Sequence, residues 1–118
     1  MAQVSENVAV GNTATAIFTC PTNEVLTITK LYLTDKSGVT QTAEINIAND
    51  GGAASTSNKV GADISVLAGA GVPVTAVSGL KVASGGKLYV KGSSGSTDLV
   101  CHLAGITIEQ TRDATAIG

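Results

Sequence analysis

Few residues in this chain have the chemistry for catalysis or metal binding. There is one histidine, His102, and there are two cysteines, Cys20 and Cys101. A single histidine excludes the multi-His metal sites of hydrolases and cupins. His102 lies between Cys101 and Leu103 in an alternating run, so it points to the face opposite them. It reads as a strand residue at an interface or on a sheet surface. Each cysteine also sits in an apolar alternating run with no Lys or Arg close by in sequence. That context fits two buried free thiols, which pack as small hydrophobes. A disulfide remains open, because the two runs could be neighbours in one sheet. The glycines give no nucleotide site. A phosphate loop ending at Gly86-Lys87 needs glycine at position 81, which is Lys81, and Ser or Thr at position 88, which is Leu88. Gly69-x-Gly71 lacks the third glycine of a dinucleotide fingerprint, and no helix follows it. Glu44, Asp50, Asp63 and Asp98 lack calcium-loop spacing and read as solvated turn acids. The expectation is no enzyme, no metal and no cofactor.

Composition narrows the binding classes. Seven Lys+Arg stand against nine Asp+Glu, a net charge of −2, which excludes a basic nucleic-acid face and a polybasic membrane anchor. The aromatic residues are Phe18, Tyr32 and Tyr89, too few for base-stacking or sugar-stacking surfaces. No positively charged leader is visible, as the first lysine is Lys30. The longest uncharged apolar stretch, Ile64–Leu80, is interrupted by Gly69, Gly71, Pro73 and Gly79 and is too short to span a bilayer as a helix.

The elements that must position these side chains are strands. Thr, Val and Ile make up 36 of the 118 residues, and β-branched residues suit pleated surfaces. Met1–Asn12 reads as an extended arm and Thr13–Cys20 as a first core strand before the turn at Pro21-Thr22-Asn23. Glu24–Asp35 is the strongest strand. Its apolar positions shift parity between Ile28 and Leu31, which requires a bulge or a bend between two sheets. Thr40–Ala48 alternates with Ala43, Ile45 and Ile47 inward. Asn49–Lys59 is a long loop of small residues. Ala62–Leu67, Val72–Val77 and Leu80–Val82 are short strands or edge segments. Lys87–Lys91 places Leu88 and Val90 inward. Asp98–Glu109 is the last strand, and its parity is expected to shift at Ala104-Gly105, since Leu99, Cys101 and Leu103 alternate against Ile106 and Ile108. Strands that change face midway suit a jelly roll. The expected fold is therefore all-β, an antiparallel sandwich of about eight strands, jelly-roll-like. The domain spans residues 13–109, between an N-terminal arm (1–12) and a C-terminal tail (110–118). Arm and tail carry almost no apolar content and are expected to be held by neighbouring chains.

Two runs resemble small β-sandwich structural proteins of tailed-phage virions. One is Ile28-Thr29-Lys30-Leu31-Tyr32-Leu33-Thr34-Asp35-Lys36-Ser37-Gly38. The other is the closing run Ala104-Gly105-Ile106-Thr107-Ile108-Glu109. The chain departs from that pattern after Pro21, where Thr22-Asn23 replaces a small-residue and glycine pair. The likeness covers about Thr13–Glu109 and carries no catalytic motif. It implies a capsid decoration (cement) protein that binds the outer capsid lattice, with the major capsid protein and further copies of itself, as a homotrimer, for partners. No nucleic-acid or membrane partner is expected. The alternative is a tail, neck or baseplate module; a carbohydrate-binding module is a more distant one. The expected contacts are Val4, Val8 and Val10 in the arm, and Thr111, Arg112 and Ile117 in the tail. Asn49, Asp50 and Lys59 in the loop join them, with Tyr32 and Tyr89 as half-wet interface residues.

Overall fold

Nine strands and a short 3₁₀ turn at Thr75–Val77 order the described residues of the computed structural model, which are 2–55, 58–61, 63–93 and 98–109. The strands are β1 (Ala2–Val10), β2 (Thr15–Thr19), β3 (Glu24–Asp35), β4 (Gln41–Ala48), β5 (Ile64–Val66), β6 (Gly71–Pro73), β7 (Lys81–Val82), β8 (Lys87–Lys91) and β9 (Leu99–Glu109). The larger sheet runs β1-β9-β3-β6, with β7 also pairing β3. The smaller runs β2-β8-β4-β5, and every pairing is antiparallel. If β6 and β7 are taken as one interrupted strand, this is the eight-strand order of a jelly roll. The chain crosses between the sheets at almost every connection, and β4–β5 is a link that stays within one.

The parity shift in β3 is a bulge. The pairing with β9 slips between Ile28 and Lys30, leaving Thr29 as the extra residue. Leu26 and Ile28 before it and Leu31 and Leu33 after it therefore all point into the core and are buried. The Thr29 hydroxyl donates to the carbonyl of Ala104 (2.9 Å), tying the bulge to the neighbouring strand. The expected shift in β9 does not occur. β9 keeps unbroken register against β1 from Leu99 to Thr107. Its inward set is Leu99, Cys101, Leu103, Gly105 and Thr107, which leaves Ile106 and Ile108 on the outer face. Gly105 sits opposite the bulge because β3 comes so close: a Cβ there would lie 2.7 Å from the Thr27 carbonyl oxygen and 2.8 Å from Leu26 Cδ1. The glycine marks a bulge in its partner strand, not in its own.

The N-terminal segment is not a free arm. All nine residues of β1 pair with β9, and Val10 closes the core at 1% exposure. Nine ladder positions against β9 hold a segment that its own apolar content could not. The expected strand Val72–Val77 ends early, at Pro73, which has no N–H to extend a ladder. Val74 N–H still reaches the Leu31 carbonyl (2.8 Å), and Thr75–Val77 then turns as a 3₁₀ helix that buries Val77. β5 is likewise shorter than expected, and Leu67 beyond it is exposed.

One buried core fills the space between the sheets, built from Leu26, Ile28, Leu31, Leu33, Ile45, Leu88, Val90 and Leu99, with Val4, Val8 and Phe18 packed against it. Each such side chain contributes about 1.5–3 kcal/mol by leaving water. Both thiols are free and buried. At the rim, Asp35 ends β3 with no exposed surface. Its Oδ1 accepts from the Ser37 N–H (2.8 Å), the Ser37 hydroxyl (2.6 Å) and, more distantly, the Gln41 side-chain amide (3.4 Å). This network fixes the turn between β3 and β4.

Candidate interaction face

The outer face of the larger sheet is built by alternation. Because β9 keeps its parity, Val100, His102, Ala104, Ile106 and Ile108 all point away from the core. Directly opposite them on β3 lie Thr34, Tyr32, Lys30, Thr27 and Val25. On β1, Ala9, Asn7, Ser5 and Gln3 face Val100, His102, Ala104 and Ile106. β7 adds Lys81, whose ammonium donates to the Thr27 hydroxyl (3.0 Å). Among these described residues there is no carboxylate, and the only charges are the two lysines. The apolar end carries Val25, Ile106 and Ile108, and Ile108 is 52% exposed. Eleven residues of β9 give a length of about 36 Å, and four strands a width of about 15–19 Å. That is roughly 600 Å², on the order of the about 800 Å² that each partner buries in a specific protein–protein contact.

At the centre of this face three strands contribute one row, Asn7–His102–Tyr32. His102 Nδ1–H donates to Asn7 Oδ1 (2.8 Å), and Nε2 lies 3.4 Å from the Thr34 hydroxyl. The imidazole is thus held between an amide and a hydroxyl, with no carboxylate beside it. The Tyr32 ring lies 6.4 Å from the His102 ring, tilted by 52°. It also covers Gly71 on β6, where a Cβ would come within 2.6 Å of it. The Lys30 ammonium stands 5.8 Å from the Tyr32 ring centroid. The bulge at Thr29 is what puts Lys30 and Tyr32 on the outer face, since without it both would take the opposite parity.

The smaller sheet presents a different surface. Glu44 and Lys91 stand opposite one another on it. The loop following β4 folds back over it. Asn46 points away from the core, as the alternation of β4 dictates, but is buried beneath this loop and donates to the Ser55 carbonyl (2.8 Å) and Asn58 Oδ1 (3.0 Å). The Tyr89 hydroxyl reaches the Gly52 carbonyl (3.4 Å). Lys59 pairs with Asp63 (2.5 Å), and that hydrogen bond raises the pKa of the lysine.

The expected contact residues are therefore scattered. Val4 and Val8 are half-buried on the core side of β1, and Val10 is buried, so the three valines support the edge strand and face inward. Tyr32 is on the outer face of the larger sheet. Tyr89, half-buried, is on the outer face of the smaller one, so the two rings cannot form a shared stacking platform. Asn49 and Asp50 are exposed at the start of the folded loop, and Asp50 packs against Gly85. Thr111, Arg112 and Ile117 lie outside the described residues. Sequence reasoning missed Ile106 and Ile108 as outward residues. Their parity relative to Leu103 was available, but an apolar outer face looks the same in sequence as a change of face.

The thiols have no activating neighbourhood. Burial pushes Cys101 up to about 12. Burial also raises Cys20, helped by the nearby Glu24 and opposed by the Leu26 N–H. Among the described residues, no group of three His, Cys, Asp or Glu converges to hold a metal.

No protein-family model, no curated protein and no solved structure matches this chain.

Proposed function

We propose that this chain is a structural binding module rather than a catalyst, and that it docks through the outer face of its larger sheet. The observation that carries this reading is the composition of that face. It is about the size of one side of a specific contact, free of carboxylates among the described residues and apolar at one end, although the protein as a whole is net acidic. A solvated sheet face ordinarily carries charges of both signs, and a patch depleted of charge and holding Tyr and Ile fits protein contact.

The more specific reading is a capsid decoration (cement) protein of a tailed phage, acting on the outer capsid lattice as a homotrimer. Its support is the likeness of two sequence runs to small virion β-sandwich proteins. Those runs, Ile28–Gly38 and Ala104–Glu109, are far apart in sequence but pair as β3 and β9. Together they supply Lys30, Tyr32, Thr34, Ala104, Ile106 and Ile108 to the proposed docking face. The mechanism is mass action: a protein that binds only the assembled lattice stabilises it by RT ln(1 + [L]/Kd) per site. Joining copies in a trimer adds avidity. A tail or neck module would use the same face in fewer copies. A two-tyrosine sugar platform is disfavoured by the placement of Tyr32 and Tyr89 on opposite sheets.

The test is the copy number of the chain in purified source particles, taken against the major capsid protein by quantitative mass spectrometry. A ratio near one per capsid subunit supports lattice-wide cement. A handful per particle moves the chain to the tail or neck, and absence from particles refutes the virion reading.

A further inference from the structure

The centre of the larger sheet's outer face holds a concavity of about 440 Å³ around His102 and Ala104. Its floor is the small side chain of Ala104. On β3 Lys30 stands directly across from Ala104, and on β1 Ser5 does so on the other side. The two flanking positions are separated by two strand spacings, about 10 Å, with only a methyl group between them. Asn7, His102 and Tyr32 form the next row and close one end.

Every polar side chain left over in this basin can donate, and none is an acceptor only. His102 uses both ring nitrogens internally, on Asn7 Oδ1 and the Thr34 hydroxyl. Asn7 is thereby oriented with its carbonyl toward the imidazole, which leaves its two amide hydrogens to donate outward. The Ser5 hydroxyl and the three ammonium hydrogens of Lys30 add to them. Lys30 is held over the Tyr32 ring at a distance where the ring face attracts a cation, so its charge stays at the rim of the basin. No carboxylate lines the basin, and Lys30 is its one formal charge.

We infer that this basin seats the carboxylate of an Asp or Glu side chain from the docked protein partner. The inference rests on the docking reading above and names what the centre of that face recognises. One ammonium, one amide and one hydroxyl around an apolar floor match a singly charged, planar anion carried on a short methylene stem. The Ala104 methyl and the edge of Tyr32 would cover the stem. There is no Arg fork and no cluster of backbone N–H groups of the kind that recognises phosphate. The basin also lies inside the sheet face, with Ile106 and Thr27 in the next row, where a protein surface rather than a free solute would close over it.

The chain carries its own reporters. His102 is its only histidine, and Tyr89, on the opposite sheet, is an internal reference for Tyr32. The experiment is an NMR titration of the full chain with sodium acetate, a free carboxylate, at constant pH, against sodium chloride at matched ionic strength. A second arm uses inorganic phosphate. The expected result is a saturable displacement of the His102 and Tyr32 ring signals by acetate, with Tyr89 unmoved. Lys30→Met should weaken that binding about tenfold, the equivalent of one lost charge-assisted contact, and Lys87→Met should not. The inference is overturned if acetate and chloride act alike, if phosphate binds more tightly than acetate, or if Lys30→Met leaves the acetate titration unchanged. None of those results touches the docking reading, which is decided separately by substitutions at the apolar end of the face.

Discussion

Asp35 offers a quantitative test of how the rim of the sandwich is held. Its carboxylate has no exposed surface, and its Oδ1 accepts two short hydrogen bonds from Ser37 and a long one from Gln41. Hydrogen bonds to a charged group contribute about 1.5–3 kcal/mol each. The 3.4 Å contact from Gln41 adds little. Burial opposes these bonds, pushing the carboxyl upward, but the Ser37 and Gln41 bonds together outweigh it and hold the pKa below the ordinary 3.8. Asp35→Ala removes the acceptor and strands the Ser37 and Gln41 donors, at a cost of about 3–5 kcal/mol. Ser37 is only partly buried, so water can take up its stranded donors, and the lower end applies. At about 4 °C per kcal/mol for a domain of this size, Tm should fall by about 12 °C or more. Asp35→Asn keeps an acceptor at Oδ1, loses the charge and puts an amide NH2 where Oδ2 is buried without a partner, and should cost about 1–2 kcal/mol at neutral pH. The pH dependence has a definite sign. A depressed folded pKa gives stability that is present above 3.8 and lost as pH falls through the still lower folded value. The gap between wild type and Asp35→Asn should therefore close in acid. Urea unfolding of both chains across that range is the assay. If Asp35→Asn matches or exceeds wild type at neutral pH, with no change in acid, the bonds do not outweigh the burial and the account of this turn is wrong.

Three further perturbations follow from the fold. Gly105→Ala places a methyl 2.7 Å from the Thr27 carbonyl and should cost about 1–3 kcal/mol by forcing β3 and β9 apart; an unchanged Tm would mean the bulge yields freely. Cys101, with its pKa near 12, should resist thiol reagents in the folded chain at mildly alkaline pH and react only on unfolding, as followed by mass spectrometry; fast native labelling would contradict its burial. Asn46→Ala removes the donor to Ser55 and Asn58, so amide exchange in the loop following β4 should quicken while β3 and β9 stay protected. Equal protection in the two chains would show that the loop is held by other contacts.

How much of this was legible in the sequence depends on what alternation can encode. β3, β4 and β8 stand out as strands because one of their faces is buried, and a period of two then appears in the residue types. The bulge at Thr29 was readable as a parity shift for the same reason. β1 was not readable as a strand. Its outward residues Gln3, Ser5 and Asn7 and its inward Glu6 are polar, and what secures it is the backbone ladder to β9, which leaves no pattern in the side chains. β9 misled in the opposite way. Ile106 and Ile108 suggested a second core face, whereas they decorate the outside. Asn46 was hidden for a related cause: it points away from the core, as its position dictates, but a loop that returns from nine residues downstream covers it. The central row of Asn7, His102 and Tyr32 joins residues from three strands far apart in the chain, and only the sheet order brings them together.

The central claim is that the larger sheet's outer face is the docking surface. Its most direct measurement compares attachment to stripped source particles of wild type, Ile108→Glu and, on the smaller sheet, Lys91→Glu, by co-sedimentation. Both residues are exposed at the surface, so each variant should fold with the wild-type Tm. The account expects Ile108→Glu to lose attachment by about tenfold or more, as a charge placed in an apolar contact must be desolvated, and Lys91→Glu to attach as wild type does. Attachment that survives Ile108→Glu but fails with Lys91→Glu would place the docking surface on the other sheet and contradict the claim.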